Sequence, residues 1–386
     1  MNGDLVYWIA LSQIKNWGVE RINQVIIKVI HEQKEQLSDL FSYDTSELKN
    51  KIELSEKEIF YLEEVKRELP QYSFLTEDLL AQGYEIITID SPKYSKTLKD
   101  NLKIKSSPPI IYIKGNKQLL HEKSVAIVGS RDADDISLKF TDEVAKNASK
   151  DFKVVVSGFA KGVDKQALDS AIKYKGQSII VLPQGIMTFG SGFNKYYQEI
   201  QAGDVLVLST FFPKATWSVQ LAMARNPIIY GVADDIYVAQ SSDKGGTWSG
   251  VIDGLRKGRK IFVRLPELNE KNANNLLIER GAIPVNLFGD IVKQDLPTEI
   301  HTKIEKDVPE KKNGNDNIDS IEFQIRELLK DSILFSEEIK KSLELDWKTS
   351  ELTEYLKKQP WIKFDKENKR YKFSLRSDTI QTTLFS

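Results

Sequence analysis

The sequence predicts an α/β chain: an extended Rossmann-like domain built on a parallel sheet, flanked by an N-terminal helical domain and a C-terminal winged helix. Three observations predict it. Between Tyr84 and about residue 295, short continuous apolar runs alternate with helical stretches, and the runs end in Gly, Ser or Asp. Before them the apolar residues recur with a helical period. After them a polar segment without aromatics leads into a helix–helix–helix–hairpin pattern.

Residues 1–80 make the helical domain. Leu5, Trp8, Ile9 and Leu11 begin one apolar face, and Ile22, Val25, Ile26, Val29 and Ile30 continue it, with Asn16 and Gly18 between. The segment IKNWGVERINQVI, a glycine turn between apolar helices in a SAM-like or helix–hairpin–helix-like domain, resembles the unit that grips nucleic-acid backbones. The plainer reading is a glycine-capped helix junction.

Residues 81–295 make the Rossmann-like domain. YEIITI and SPPIIYIKG are β-branched runs bounded by prolines and Gly115. A repeating unit follows: VAIVGS, a helix over 137–149, VVVSG, a helix over 163–174, SIIVLPQG, a helix-like stretch 194–201 and VLVLS. It continues with a helix-like stretch 217–223, PIIYGVADDIYVAQ as strand, a helix over 249–256, and KIFVRL. Continuous apolar strands between helices mean a parallel sheet buried on both faces. Ligands of such sheets sit at the strands' C-terminal ends.

Residues 296–319 read as a linker, rich in Lys, Glu, Asn, Pro and Gly. In the winged helix, 320–375, IEFQIRELLKD, FSEEIKKSLEL and WKTSELTEYLKKQ are the helices, and WIKFDKENKRYKF is the hairpin, turning at DKEN. Residues 376–386 are a tail. Lys348, Lys357, Lys358, Lys366, Lys369, Arg370 and Lys372 make the third helix and wing basic, yet Glu351, Glu354, Asp365 and Glu367 nearly cancel them. A DNA-touching wing and a protein-binding or structural one both fit.

Composition removes many chemistries. The chain has 386 residues, 55 Lys and Arg against 56 Asp and Glu, no cysteine and three scattered histidines. Disulfides, thiolate metal sites and a cysteine nucleophile are excluded, and a histidine-rich metal site is not expected. A net charge of −1 excludes a polybasic chain that coats nucleic acid indiscriminately, though not a focal site. The first twenty residues lack the basic segment and cleavage site of a secretory leader, and no run of about 18 apolar residues exists. A cytoplasmic protein without a membrane span is the expectation.

The candidate site lies where the strands end. VAIVGSRDADD places Gly129 and Ser130 between a strand and a helix, where free N–H groups favour a phosphate, and Arg131 adds a planar fork. The dinucleotide fingerprint is absent. VVVSGFAKGVD adds Ser157, Gly158, Lys161 and Gly162, with Asp164 to start the helix. Two neighbouring small-residue loops with one cation each point to a shared pocket for a phosphate chain.

In order, these residues resemble the DprA family, also called Smf, of bacterial transformation and recombination. VGSR at 128–131 and SGFAKGVD at 157–164 match two characteristic motifs. Arg225-Asn226 falls where the family has an arginine–asparagine pair, and NNLLIERGAIPV at 274–285 is similar to its closing segment. The leading YWIALSQIKNWG, the approach DSPKYSKTL…SPPIIYIKGN and the C-terminal winged helix complete the layout.

The chain departs from that pattern in several places. Leu168 stands for a histidine, Thr210 for an acidic residue and Pro227 for a second arginine; VLPQGIMTFGSGFN replaces a glycine–aspartate turn, though Asn194 remains, and SSDKGGTWSG replaces a serine–glycine–serine–leucine loop. The resemblance implies binding of single-stranded DNA, loading of a RecA-type recombinase, and a homodimer through the Rossmann-like domain.

Arg131, Lys161, Arg225 and Lys244 are the expected phosphate cations, with donors from Gly129, Ser130, Ser157, Gly158, Gly162, Asn194, Asn226, Gly245, Gly246 and Thr247. Trp248 and Phe193 lie in loops of the same edge, either to stack on bases or to pack over the sheet. No Ser–His–Asp set or paired carboxylate accompanies them, so neither covalent chemistry nor a cofactor is expected.

Two other readings stay open. KGGTWSG at 244–250 resembles a trimmed phosphate loop of the nucleotide phosphoribohydrolases, without their glutamate; Asp243 or Asp253 would have to replace it. Alternatively, the pocket senses a nucleotide and the winged helix regulates a partner.

Overall fold

The computed structural model describes residues 2–267 and 270–292, and beyond them 325, 328–329, 333–343, 348–357, 359, 362–367 and 370–375. The chain divides into two compact units, 1–294 and 295–386. The expected linker 296–319, tail 376–386 and most of the helix IEFQIRELLKD lie outside the described residues.

Helices α1 (Asn2–Ser12), α2 (Val19–Ile26, prolonged by a π-helical turn over Ile27–Glu32), α3 (Leu37–Leu40), α4 (Thr45–Asn50), α5 (Glu56–Arg67) and α6 (Leu69–Ala81) open the first unit. Asp44 and Ser55 start α4 and α5 with reciprocal caps: each side chain accepts the N–H three residues on, while Glu47 and Glu58 reach back. Gly18 precedes α2 at a φ of −75°, and Glu20 sits in the first turn. A negative charge there suits the helix dipole and repels a phosphate, which favours the plain junction over a backbone-gripping hairpin. Trp8, Leu11, Val25, Leu62 and Leu79 are buried in the same apolar cluster as Ile111, Ile179, Leu206 and Val263 of the sheet. Helices and sheet therefore share one core.

The sheet consists of β1 (Glu85–Thr88), β2 (Ile110–Gly115), β3 (Ser124–Val128), β4 (Val154–Ser157), β5 (Ser178–Val181), β6 (Val205–Ser209), β7 (Asp235–Val238), β8 (Ile261–Arg264) and β9 (Ile283–Val285). Its order is β1-β2-β6-β5-β4-β3-β7-β8-β9. From β6 to β9 every neighbouring pair is parallel, while β2 and β1 join antiparallel at the β6 edge. The fold is thus mixed α/β on a mostly parallel sheet. β3 to β6 are buried along their whole length, the pattern of strands covered on both faces.

Between the strands run α7 (Lys96–Ser106), α8 (Asp135–Lys150), α9 (Val163–Lys173), α10 (Gly190–Lys195), α11 (Tyr197–Ala202), α12 (Val219–Val232), α13 (Gly246–Arg256) and α14 (Asn274–Glu279). α8 and α9 set Phe140, Val144, Ala167 and Ala171 against Val125, Ile127 and Val155.

Two expectations fail. The stretch 194–201 is not one helix: α10 and α11 break at Tyr196. More consequentially, PIIYGV at 227–232 is helix, the second half of α12, and the strand begins only at Asp235. Ile228, Ile229, Tyr230 and Val232 are buried because the segment is enclosed on more than one side. Leu98 and Leu102 of α7 close on Gly231, leaving no room for a Cβ. The Asn101 amide of α7 donates to the carbonyls of Gly231 and Ala233. A helix buried all round reads as a continuous apolar run, and periodicity cannot separate it from a strand.

The second unit holds β10 (Leu334–Phe335), α15 (Ser336–Ser342), α16 (Thr349–Lys357), β11 (Ile362–Glu367) and β12 (Arg370–Leu375). Its strands form an antiparallel sheet in the order β10-β12-β11, and Ile325, Leu329, Ile339, Leu352, Leu356, Ile362 and Phe373 make its core. The short strand β10 had no signal in the sequence.

Candidate nucleic-acid interface

Strand order reverses between β3 and β7: β4 to β6 continue on one side, β7 to β9 on the other. Loops leaving the C-terminal ends of β3, β4 and β7 therefore meet at the switch point, the usual ligand position of an open α/β sheet.

Contacts among these loops explain their glycines. A Cβ on Gly129 would lie 2.7 Å from Val163 Cγ2 and 3.1 Å from the Gln240 carbonyl. Gly162 has a φ of +83°, and a Cβ there would lie 2.4 Å from the Ser130 carbonyl oxygen. Ser130 N–H donates to Gln240 O at 2.9 Å, and Val163 N–H to Ser130 O at 3.2 Å. The three loops form one hydrogen-bonded assembly, and Arg131 projects from it exposed.

Lys161 also stands at the surface, with its ammonium 3.1 Å from Asp132 Oδ1 across the two loops. An exposed pair of this kind contributes roughly 0–1 kcal/mol, so a phosphate can displace the carboxylate cheaply.

Beneath the loops lies a buried charge pair. Arg225 of α12 is 3% exposed and Asp164 of α9 is 7% exposed. The guanidinium donates through Nη1 to the carbonyls of Gly158 and of Val181, the latter at 2.6 Å. Its Nε is buried without a partner among the described residues. Burial pushes the Asp164 carboxyl up, and the Arg225 charge with the N–H groups of Ala160 and Gly158 pulls it back. Burial likewise lowers the Arg225 guanidinium, against the attraction of Asp164. A Cβ on Gly158 would strike Arg225 Nη1, Cζ and Asp164 Oδ2.

Arg225 is thus not a surface cation awaiting a phosphate, contrary to expectation: its Nη1 fastens the ends of β4 and β5. The Ser157 hydroxyl is likewise occupied, donating to Asp164 O at 3.1 Å and shared with Ile127 O at 3.3 Å. It offers no donor to a ligand.

The third loop leads into α13. Gly245 precedes the helix at a φ of +88°, and the first N–H groups of α13, near Gly246 and Thr247, have no side-chain cap. Lys244 is exposed beside them. Asn226 lies at this corner, with Nδ2 2.6 Å from the position of a Cβ on Gly246 and Met223 Sδ at 3.3 Å. Asn194 lies in α10, in the β5–β6 connection rather than in the three loops.

The aromatic candidates pack. Phe193 sits 5.3 Å from Phe189 and 5.8 Å from Tyr84, with the Lys114 ammonium 5.3 Å above its ring. Trp248 is half-buried with the Arg280 guanidinium 5.1 Å over it.

Two residues that shape the site were not among the sequence-predicted site residues. Asn274, fully buried at the start of α14, accepts from Ser241 N–H at 2.9 Å and donates to Ala239 O and Arg264 O. Arg264 is buried too, donating to Ala239 O at 3.0 Å and pairing with Glu270. Together they pin the loop after β7. A long polar side chain in an apolar run, as in KIFVRL, is the one hint available.

Asp253, the possible acid of α13, is partly buried, yet hydrogen bonds from Lys257 and Arg256 at 2.7 Å hold it below the usual carboxylate range. Among the described residues no cluster of acidic or histidine side chains is placed to hold a metal ion, and no helix is long and apolar enough to cross a membrane.

Residues 85–295 match the family described as DNA recombination-mediator protein A. The DNA processing protein DprA of Streptococcus pneumoniae is 32% identical over 163 residues, which are 42% of this chain and 57% of that protein. The match thus spans little more than half of that relative. Protein Smf of Synechocystis is 27% identical over 289 residues, 73% of this chain and 70% of its own length. The X-ray structure of DprA from S. pneumoniae superposes with a TM-score of 0.56 at 25% identity, covering 73% of this chain and 94% of that one.

Proposed function

Because this chain belongs to the DNA recombination-mediator protein A family, also called DprA or Smf, we propose that it binds single-stranded DNA along the C-terminal edge of its sheet. The bound strand serves homologous recombination or DNA uptake and is passed to a RecA-type recombinase. One observation carries this reading: Arg131, Lys161 and Lys244 stand exposed on three loops that meet at the strand-order reversal. The glycine backbones of those loops and the uncapped start of α13 supply N–H groups between the cations.

Phosphates bind on this edge without turnover. The phosphoribohydrolase-like alternative needs an acid near the leaving group; of its two candidates Asp253 is engaged by two cations on its own helix, and Asp243 stands exposed in the loop before α13. The resemblance to the family supports a homodimer through the first unit and a cytoplasmic place of action. We read the second unit as a winged helix. Its helix α16 exposes Glu351 and Glu354, and Lys357 bonds Glu354 at 3.0 Å while lying 3.8 Å over the Tyr371 ring. That face suits a protein partner better than a phosphate backbone.

The test is binding of labelled single-stranded and duplex oligonucleotides at several salt concentrations, with Arg131→Glu and Lys161→Glu alongside. Strand-selective, salt-sensitive binding that both variants lose supports the reading. Equal affinity for both forms, or unaffected variants, rejects it.

A further inference from the structure

We propose that the exposed start of α12 is a shelf on which bases of the bound strand stack, with Trp217 as its anchor. The inference rests on the single-strand reading above and adds how bases, as distinct from phosphates, are held.

Trp217 is 51% exposed, Val219 60% and Met223 36%. They follow one another where the chain leaves the C-terminal end of β6 and enters α12. Ala222 and Arg225 form the buried side of this helix. Val219 and Met223, four residues apart, make an apolar stripe on the outside.

The position of the stripe is fixed at both ends. Arg225 hangs α12 from the carbonyls of Gly158 and Val181, across the ends of β4 and β5. Met223 Sδ lies 3.3 Å from the place of a Cβ on Gly246, so the stripe runs up to the first turn of α13, next to Lys244. An apolar, tryptophan-headed surface thus borders the loops that carry Arg131 and Lys161.

That pairing selects the occupant. Exposed cations and N–H groups demand a polyanion, and the stripe demands free apolar faces beside the charge. A single strand with unstacked bases offers both; a duplex hides its base faces, and an apolar peptide lacks the charge. The tryptophan and phenylalanine that the sequence offered for this part, Trp248 and Phe193, have their rings covered by Arg280 and by Tyr84 with Lys114.

The experiment compares wild type, Trp217→Ala and Trp217→Phe on oligothymidylate and on an abasic oligonucleotide of the same length, over a salt series. Wild type prefers the base-bearing strand by about tenfold or more, Trp217→Ala loses most of that preference, and Trp217→Phe keeps it. The salt slope stays the same in all three, and tryptophan fluorescence is quenched by the base-bearing strand only. Circular dichroism and thermal melts confirm that the variants fold. Equal wild-type affinity for both strands, or an unchanged preference in Trp217→Ala, overturns the shelf while leaving phosphate binding intact. Binding of neither strand overturns the single-strand reading itself, and the shelf with it.

Discussion

Replacing Arg225 by methionine separates a structural part from a DNA-contacting one. The guanidinium is 3% exposed, holds the Gly158 and Val181 carbonyls, and neighbours an Asp164 carboxyl that is 7% exposed. Methionine fills most of the volume but leaves two carbonyls without their donor and a carboxylate without its counter-charge. Removing one partner of a buried pair costs about 3–5 kcal/mol, more than the fraction of a kcal/mol expected for a solvated surface arginine.

The loss also has a pH signature. Burial already raises the Asp164 carboxyl, and without Arg225 it rises further. A carboxyl raised in the folded state favours folding at acid pH, and that benefit disappears as pH climbs through its folded value. The deficit of Arg225→Met therefore shrinks on acidification, and adding Asp164→Asn restores part of the stability at neutral pH. Urea denaturation of the single variants and of the pair across pH provides the assay. A cost below about 1 kcal/mol, with no coupling to Asp164→Asn, refutes the buried-pair account and returns Arg225 to the surface cations.

Two further perturbations address the supports of the site. Gly162→Ala forces a Cβ into the Ser130 carbonyl at a φ of +83°, so it should cost about 1–3 kcal/mol in denaturant midpoint and weaken oligonucleotide binding, since the two loops move together. Glu270, held below the usual carboxylate range chiefly by the hydrogen bond from Arg264, contributes stability that is complete above its unfolded pKa and lost as pH falls through the lower folded value. Glu270→Gln should cost about 1.5–3 kcal/mol at neutral pH and flatten the acid limb of the stability profile.

The sequence disclosed the strand-end loops because glycine, serine and a cation after a buried run have few other uses; VGSR and SGFAKGVD fall where β3 and β4 end. It misplaced what depends on burial. Arg225 carries the same charge letter as Arg131, and only the packing of α12 across β4 and β5 shows that one faces inward. Ser157 resembles Ser130 in the same way, yet its hydroxyl is spent inside the sheet. PIIYGV read as strand because α7 and the sheet bury it on several sides, erasing the helical period. Asn274 acts through hydrogen bonds to residues 10 to 35 positions away, and no local pattern announces such a bond. Trp217 passed unnoticed because nothing in TWSVQL tells an exposed tryptophan from a packed one.

The central claim is that three loops present Arg131, Lys161 and Lys244 to the phosphates of one strand. The slope of single-strand affinity against salt, measured for wild type and for Arg131→Gln/Lys161→Gln/Lys244→Gln, tests it most directly. Each lost phosphate contact on a single strand lowers the slope by about 0.7, so the triple variant should show a slope shallower by about two units and weaker binding at every salt concentration. A triple variant with the wild-type slope and affinity would place the strand elsewhere on the protein.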